Sequence, residues 1–316
     1  MRRIGWGEVM GVHPDDTAVF SLADLRRWEE VTRGREVPVR LAVFGDPVGH
    51  SKSPQMHNPA LAACGLSMTY TRLHIRAEEL DEALALIAAK GFVGCNLTIP
   101  HKVAAVGRMA RLDDSAKAFG VVNTVRVEAG GLAGFNTDGP GLVRALEAEL
   151  GCGLRGRRVL LLGAGGGAGR AVALQCAMEG SARLWLANRT PGKLVELSAE
   201  VEKILAGAGR VGCVGLGEAE LAGVVDEVDL VLQFTALGMA ADDPSPLPLH
   251  LLRDHHRVYD TVYAGGDTAL VRAARARGIP AASGLAMLLH QGALAFEVWF
   301  ERSAPLEAMR RGLYGG

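Results

Sequence analysis

The stretch V-L-L-L-G-A-G-G-G-A-G-R, from Val159 to Arg170, decides the fold class of this 316-residue chain. Its unbroken apolar run is typical of a parallel strand that is buried on both faces of a sheet. The run leads through a glycine turn into an alanine-rich segment, which is the order of strand, turn and helix that a dinucleotide site requires. Glycine there lets the backbone approach a pyrophosphate, whose charge faces the helix N-terminus. We therefore predict an α/β domain of the dinucleotide-binding type.

The residues after the glycine turn indicate which dinucleotide is bound. The next apolar segment, residues 184–187, ends in Asn188-Arg189-Thr190, and Lys193 follows closely. A site for a free ribose 2′-hydroxyl carries an acidic residue at this point. Cations and a hydroxyl suit a 2′-phosphate, so the sequence favours NADP as the cofactor. The alternative is that Arg189 is simply solvated.

The rest of the C-terminal half predicts a doubly wound parallel sheet. Apolar segments at residues 211–214, 230–232 and 258–260 alternate with helical or turn segments, as in successive βα units. A long, strongly apolar helix over residues 284–300 closes the chain. It carries Gln291 as an isolated polar residue, which is either a satisfied core residue or a ligand.

The N-terminal half predicts a second α/β unit. Alternating residues at 39–44 and 70–75 are typical of strands, and residues 78–90 have the spacing of an amphipathic helix that ends at Gly91. A third strand ends near Gly94, which completes a β-α-β-α-β pattern. Two further strands are expected at residues 121–127 and 132–135, around a Gly130-Gly131 turn.

A cluster of functional side chains is expected in the stretch G-C-N-L-T-I-P-H-K, Gly94 to Lys102. Pro100 suits the first position of a helix, which places Lys102 in the first turn, where the helix dipole opposes positive charge. Asn96 and Thr98 alternate at the end of the strand and point the same way. An amide, a hydroxyl and an ammonium thus converge as in a site for a polar small molecule. The alternative is an ordinary loop with a solvated lysine.

Two other segments carry polar residues at helix starts. In H-S-K-S-P, residues 50–54, Ser53 is expected as the N-cap of a helix that Pro54 opens, and Ser51 with Ser53 suits a carboxylate or phosphate. Pro59 should interrupt or kink that helix. Asn123 and Thr124 are polar residues at a position where a core strand should carry apolar ones. Asp138 opens the next helix, where it is either an N-cap or a functional carboxylate.

Composition limits the kind of partner. A net charge of −1 and the lack of long runs of Lys and Arg argue against nucleic acid or an anionic membrane, and favour small molecules. The cysteines lack metal-ligand spacing, so we expect no metal, buried free thiols and a cytoplasmic location. They are Cys64, Cys95, Cys152, Cys176 and Cys213.

Residues 1–37 have no clear role in the sequence. Ser21-x-x-Asp24 predicts one short helix, and Trp6, Phe20 and Trp28 need an apolar surface to cover. A lid, a packing arm and an oligomer contact are alternatives, and a frayed N-terminus is the one we favour.

Together these segments resemble the shikimate dehydrogenase family, from about residue 39 to residue 300. The motifs, in order, are S-K-S-P-Q-M-H-N, N-L-T-I-P-H-K, G-V-V-N-T, N-T-D-G-P-G, the glycine turn, N-R-T, V-Y-D-T-V-Y and G-L-A-M-L-L-H-Q-G-A. The resemblance implies reversible reduction of 3-dehydroshikimate to shikimate with NADPH, in a cleft between two domains. It implies an N-terminal extension over residues 1–37, an α/β substrate-binding domain over 38–139, a Rossmann-type NADP-binding domain over 140–284, and C-terminal helices over 285–316 that return to the substrate domain.

The resemblance also assigns site residues. Lys102 and Asp138 would form the catalytic acid-base pair, and Ser51 and Ser53 would hold the substrate carboxylate. The other substrate-binding residues would be Asn96, Thr98, Asn123, Tyr263 and Gln291. The cofactor-binding residues would be Gly163, Ala164, Gly165, Gly166, Gly167, Ala168, Asn188, Arg189, Thr190, Lys193, Thr235, Gly284 and Met287.

Three local departures from the family pattern affect the expected cofactor site. The glycine turn is one residue longer, Gln233-Phe234-Thr235 replaces N-A-T, and Ala264-Gly265-Gly266 replaces N-P. Two alternatives to shikimate oxidation therefore remain open: a quinate or related carboxylated-polyol dehydrogenase, and an NADP-binding regulator without catalysis. A homodimer is compatible with the resemblance.

Overall fold

The structure is a computed structural model that describes residues 17–207, 209–240, 242–263 and 266–315. It contains a seven-stranded mixed sheet and, later in the chain, a six-stranded parallel sheet, each flanked by helices. The predicted α/β fold class is confirmed. In the described part of the chain, no helix is both long and apolar enough to cross a membrane.

The first sheet has the strand order β1-β3-β2-β4-β6-β7-β5. Its elements are β1 (Val19–Ser21), α1 (Leu22–Arg26), α2 (Trp28–Val31), β2 (Val39–Gly45), α3 (Ser53–Ala63), β3 (Thr69–His74), α4 (Leu80–Ala89), β4 (Gly94–Leu97), α5 (His101–Ala104), β5 (Arg111–Leu112), α6 (Asp114–Phe119), β6 (Thr124–Glu128) and β7 (Gly131–Phe135). The register pairs Arg72 with Val43, Val43 with Asn96, and Asn96 with Thr124. Paired residues share one face of a sheet, so these four residues form a row across it.

The second sheet is parallel throughout, in the order β10-β9-β8-β11-β12-β13. The remaining elements are α7 (Asp138–Leu150), β8 (Arg158–Leu162), α8 (Gly167–Met178), β9 (Arg183–Ala187), α9 (Val195–Leu205), β10 (Val211–Val214), α10 (Glu218–Val225), β11 (Leu230–Gln233), β12 (Arg257–Asp260), α11 (Ala269–Ala276), β13 (Ala281–Ser283), α12 (Leu285–Phe300) and α13 (Leu306–Tyr314). The strand order reverses between β8 and β11, which is where doubly wound sheets bind ligands.

The last two helices pack against the first sheet. Residues of α12 and α13 share an apolar core with β2, β3 and α3. Trp299 of α12 donates its Nε1 proton to the carbonyl of Val125 at 2.9 Å. A Cβ on Gly141 of α7 would lie 2.7 Å from the Cβ of Gln291, so α7 and α12 approach this closely only because position 141 is glycine.

Helix starts differ from the prediction at two places. Lys52, and not Ser53, occupies the N-cap position of α3, and Pro100 precedes α5 and does not open it. Pro59 does not interrupt α3, which continues to Ala63. Proline has no N–H to donate to the Gln55 carbonyl, and Gly312 of α13 packs against both Pro59 and this carbonyl.

The cysteine prediction is partly wrong. Cys95, Cys152 and Cys176 are buried free thiols, as expected, but Cys64 is half-buried and Cys213 is exposed. Cys213 lies on β10, the edge strand of the second sheet, where alternate side chains face solvent.

The expectation of a frayed N-terminus is wrong for residues 17–37, whereas Trp6 lies outside the described residues. β1 pairs in parallel with β3 and extends the first sheet. Ser21 and Asp24 form the predicted capping box at the start of α1. Leu25 and Trp28 are buried in the core of the first domain, where Trp28 contacts Phe92 with ring centroids 5.4 Å apart. Residues 17–37 are therefore a packed part of this domain.

The contribution of this segment can be measured with Leu25, whose side chain is fully buried. Leu25→Ala should lower the free energy of unfolding by about 2–5 kcal/mol, because it removes buried methyl groups and leaves a cavity. Urea unfolding followed by circular dichroism measures this loss. Arg26→Ala is the control, because Arg26 is an exposed neighbour, and its midpoint should stay close to that of the parent. Equal midpoints for both variants would show that the segment does not support the core.

Candidate active site

A cavity of about 170 Å³ lies where the carboxyl ends of β2 and β4 face α12. All nine residues predicted for catalysis or substrate binding line it: Ser51, Ser53, Asn96, Thr98, Lys102, Asn123, Asp138, Tyr263 and Gln291. Two residues predicted for the cofactor, Gly284 and Met287, line it as well. Residues from both domains and from α12 thus meet in one polar cavity.

Lys102 and Asp138 form an ion pair in this cavity. Lys102 Nζ donates to Asp138 Oδ2 at 2.7 Å, and the two side chains are 18% and 7% exposed. Asp138 is the first residue of α7, and its side chain faces Lys102, so its N-cap interpretation is wrong. A nearly buried carboxylate that holds an ammonium in one place is an arrangement suited to directed proton transfer.

Asn123 connects this ion pair to the start of α7. Its Nδ2 donates to Asp138 Oδ1 and to Thr137 Oγ1, both at 2.9 Å. Its Oδ1 accepts from the Thr137 backbone N–H at 2.8 Å. Hydrogen bonds therefore fix the orientation of the Asn123 amide. Each carboxylate oxygen of Asp138 accepts one hydrogen bond, Oδ2 from Lys102 and Oδ1 from Asn123.

The two serines lie at the N-terminus of α3. Ser51 Oγ donates to Ser53 Oγ at 3.1 Å, and the Ser53 backbone N–H donates to Ser51 Oγ at 3.3 Å. Both residues are buried. Hydroxyls at the positive end of an 11-residue helix suit an anion.

Arg72, which the sequence analysis missed, supports the serine segment from β3. Its side chain is buried, and its Nε donates to the Ser51 carbonyl at 2.8 Å. Nη2 also donates to the Ser51 carbonyl, and to Gln55 Oε1 at 3.1 Å. The detectable signal was a charged residue at an inward position of a predicted strand, two residues after Tyr70.

Tyr70 is a second residue that the sequence analysis missed. It is fully buried below the cavity and donates its hydroxyl proton to Asn96 Oδ1 at 2.8 Å. His57 stacks on its ring with centroids 4.5 Å apart. Burial lowers the pKa of His57 to about 3, so this imidazole is neutral at physiological pH. Other cavity residues that were not predicted are Val43, Val48, His50, Leu97, Thr261 and Leu288.

Close backbone contacts that only glycine permits shape the turn after β8. Gly163 has a φ of +86°, and a Cβ on Gly169 would lie 2.3 Å from the Gly163 carbonyl oxygen, so α8 packs against the turn only with glycine there. Helix α8 begins at Gly167. The backbone of Gly165 to Gly167 is exposed at the carboxyl end of β8. Ala164 is buried and Ala168 is half-buried.

The residues predicted to hold a 2′-phosphate follow β9. Arg189, Thr190 and Lys193 are exposed, and Asn188 lies against Gly165, where a Cβ would be 2.7 Å from its Nδ2. In the described part of the chain, neither Arg189 nor Lys193 forms an ion pair. The turn and these two cations lie beside each other but outside the cavity, as the two parts of an extended ligand require.

The Gln233-Phe234-Thr235 departure has a structural explanation. Gln233 is buried, and its Nε2 donates to the carbonyls of Thr235 and Leu237 at 3.3 and 2.9 Å. Its Oε1 accepts from the Thr235 backbone N–H. The longer amide therefore supports the loop after β11. Of the other departure, Ala264 and Gly265 lie outside the described residues.

Comparisons with known proteins agree with this geometry. Residues 43–125 match the family model of the shikimate dehydrogenase substrate binding domain, and residues 284–313 match that of the shikimate 5′-dehydrogenase C-terminal domain. The chain is 44% identical over 276 residues to a shikimate dehydrogenase (NADP⁺) of Moorella thermoacetica, which covers 86% of this chain and 92% of that protein.

Two solved structures are informative. The shikimate 5-dehydrogenase of Thermus thermophilus, in complex with NADP(H) and shikimate, has a TM-score of 0.76 and 35% identity, over 87% of this chain and 98% of that one. The quinate dehydrogenase of Corynebacterium glutamicum, in complex with NAD, has a TM-score of 0.79 and 28% identity, over 89% of this chain and 100% of that one.

Proposed function

The chain belongs to the shikimate dehydrogenase family, and from this premise we propose that it catalyses the reversible, NADP-dependent reduction of 3-dehydroshikimate to shikimate. The observation that carries the proposal is the cavity in which the Lys102–Asp138 pair faces the Ser51–Ser53 pair. A ring with a carboxylate and a reacting hydroxyl carries groups that suit both pairs. No proposed step needs a metal.

Ser51 and Ser53 bind the substrate carboxylate in this proposal. Their hydroxyls lie at the N-terminus of α3, and the helix dipole favours an anion there. The buried Arg72 adds positive charge behind the Ser51 carbonyl. The ring hydroxyls face the amides and the hydroxyl that line the rest of the cavity, namely Asn96, Thr98, Asn123 and Gln291, and Tyr263 lies beside them.

Lys102 transfers the proton, and Asp138 orients it. When an alcohol becomes a ketone its hydroxyl proton must leave, and in reverse the ketone oxygen must gain one. The Lys102 ammonium is held at 2.7 Å by Asp138, whose other oxygen accepts from Asn123. This leaves the remaining ammonium protons of Lys102 to face the reacting oxygen.

The second domain holds NADP, which supplies or accepts the hydride. The glycine turn Gly163–Ala168 would hold the pyrophosphate. Asn188, Arg189, Thr190 and Lys193 would hold the 2′-phosphate, and Thr235, Gly284 and Met287 would contact the nicotinamide. The fit rests on the exposed turn backbone and on the two cations that lack an ion pair among the described residues. Gly284 and Met287 bring this end of the cofactor to the substrate cavity.

The remaining parts of the proposal concern the organisation of the molecule. We propose domain boundaries at residues 38, 140 and 285, a cytoplasmic location and a homodimer that does not bind nucleic acid. The free thiols Cys95, Cys152 and Cys176 in the core support a reducing compartment.

Quinate oxidation is the second candidate function. The similarity to a quinate dehydrogenase at a TM-score of 0.79 favours it, because a quinate site would use the same carboxylate and hydroxyl ligands. A regulator without catalysis is disfavoured, because a regulator has no need of a nearly buried ammonium paired with Asp138.

A substrate panel tests the proposed activity. We expect shikimate with NADP to have the highest kcat/KM among shikimate, quinate and amino analogues, each measured with NAD and NADP by nicotinamide absorbance. Higher kcat/KM for quinate than for shikimate would support the second candidate instead. Absence of activity with every pair would leave only the regulator.

Arg189→Ala tests the cofactor assignment. A charge-assisted hydrogen bond contributes about 1.5–3 kcal/mol, so this variant should bind NADP roughly ten- to hundredfold more weakly. Its affinity for NAD should change little, because NAD lacks the 2′-phosphate. Fluorescence titration with both cofactors measures the difference, and Arg183→Ala, an arginine at the opposite end of β9, is the control. An equal loss for both cofactors would contradict the assignment.

Lys102→Ala tests proton transfer. It should lower kcat by about 10²- to 10⁴-fold, the usual contribution of general acid-base catalysis, and change KM less. Asp138→Asn should also lower kcat, because Lys102 loses its orienting charge. The measurement is kcat against pH for the parent and both variants. If Lys102→Ala keeps kcat within about threefold of the parent at every pH, Lys102 binds substrate and does not transfer the proton.

A further inference from the structure

The start of α7 has backbone N–H groups that its own turns cannot satisfy. The first four N–H groups of a helix have no acceptor within the helix. In α7 the first hydrogen bond of the helix runs from the Gly141 N–H to the Thr137 carbonyl at 2.9 Å. The positions without an intrahelical acceptor are Thr137, Asp138, Gly139 and Pro140. Proline has no N–H, so three N–H groups need an acceptor from elsewhere.

Asn136 accepts from two of these three groups. Its Oδ1 accepts from the Asp138 backbone N–H at 3.1 Å and from the Gly139 backbone N–H at 3.3 Å. The third group, the Thr137 N–H, donates to Asn123 Oδ1 at 2.8 Å. Every N–H at the start of α7 thus has a partner, and none of them needs the carboxylate of Asp138.

The side chain of Asn136 is itself held in place. It is only 3% exposed, and its Nδ2 donates to the Val121 carbonyl at 3.2 Å. Its own carbonyl accepts from Ser115 Oγ at 3.1 Å. Since the Val121 carbonyl can only accept, the amide must turn its oxygen towards α7. The cap of α7 is therefore tied to the segment that leads to Asn123.

Without Asn136, Asp138 has a second use at the same helix start. Aspartate is among the residues most favoured at an N-cap, where its carboxylate accepts from the N–H of the second or third helical residue. If α7 began one residue later, Asp138 would be that N-cap and Gly141 the third residue. Pro140, the second, has no N–H. A carboxylate held by the Gly141 N–H is drawn away from Lys102, so the two uses compete.

We propose that Asn136 is a positioning residue for proton transfer. It caps α7, and the Asp138 carboxylate is therefore free to hold Lys102. The proposal assigns separate tasks to neighbouring residues: Asn136 satisfies the helix, and Asp138 serves the site. This inference rests on the proposed function, because Asp138 acts there by orienting Lys102.

Asn136→Ala is the first test, because it removes the cap. We expect kcat to fall about tenfold, since the loss of an N-cap typically shifts a helix-start equilibrium by roughly 2- to 30-fold. KM for shikimate should change by less than about threefold, and KM for NADP should not change.

Ser21→Ala is the matched control for the loss of a helix cap. Ser21 Oγ accepts from the Asp24 backbone N–H at 3.3 Å at the start of α1, a helix of the same domain that carries none of the predicted site residues. This variant also loses a cap, yet its kcat should equal that of the parent. An equal fall in kcat for both variants would show that only stability is involved, which would overturn the inference.

A double-mutant cycle tests whether Asn136 acts through Asp138. In the Asp138→Asn background, Asn136→Ala should lower kcat by less than about twofold further, because the carboxylate that it positions is already lost. A purely structural effect would lower kcat by the same factor in both backgrounds, and that result would contradict the inference.

Asn136→Asp tests the cap by a conservative exchange. It keeps an oxygen for the N–H groups of Asp138 and Gly139 and loses only the donor to the Val121 carbonyl. Its kcat should stay within about threefold of the parent, since aspartate caps helices as well as asparagine. If Asn136→Ala does not fold, this variant decides, because a fall in kcat of about tenfold or more would contradict the inference.

A crystal structure of Asn136→Ala separates this inference from the proposed function. We expect the Asp138 carboxylate to accept from the Gly141 N–H and to lose its bond with Lys102. An unchanged ion pair would overturn the inference, whether or not the parent is active on shikimate. A parent without activity on shikimate would refute the function, and the structure would still decide where Asp138 lies. An active parent whose kcat is unchanged by Asn136→Ala would overturn the inference alone.

Discussion

A nearly buried ion pair, Lys102 with Asp138, is the constraint around which the site is built. Removing two charges from water costs several kcal/mol per ion unless their remaining hydrogen-bonding positions are satisfied. Here Asn123 satisfies the second oxygen of Asp138, and Thr137 in turn orients Asn123. This arrangement requires the first turn of α5 and the start of α7 to meet at Asn123, next to the start of β6. The geometry of the ion pair is therefore inseparable from the packing of the first domain.

Glycines at the contacts of α7, α12 and α13 allow the close packing that forms the cavity. Gly141 admits the Cβ of Gln291, Gly292 admits Met56, and Gly312 admits Pro59 and the carbonyl of Gln55. These close approaches return the C-terminal helices to the first sheet and place Met287 and Gln291 in the wall of the cavity. Helix α12, which directly follows the last strand of the second sheet, thus completes the substrate side of the site. A side chain at Gly141 or Gly312 would meet backbone atoms and would therefore separate the surfaces that form it.

The departures from the family pattern are accommodated by local hydrogen bonds and packing, without a change in the residues that line the cavity. Gln233 uses its longer amide to bond the loop after β11. Residues 17–37 add a strand to the edge of the first sheet and cover its apolar face with Leu25 and Trp28. Neither of these changes involves a residue that lines the cavity, so the cavity keeps its predicted catalytic and substrate-binding residues.

The sequence by itself determined the fold class and most of the polar residues that line the cavity. The apolar run before Gly163, the alternation of Asn96 with Thr98 and the helix start at Asp138 are local patterns, and local patterns follow from backbone geometry. Only the tertiary structure decided that Pro59 lies inside a helix, that residues 17–37 are packed, and that Tyr70, Arg72 and His57 form the floor of the site. The reason is physical: strand register and helix packing bring Arg72 to Ser51 and Tyr70 to Asn96, and these contacts join residues that are 21 and 26 positions apart in the chain.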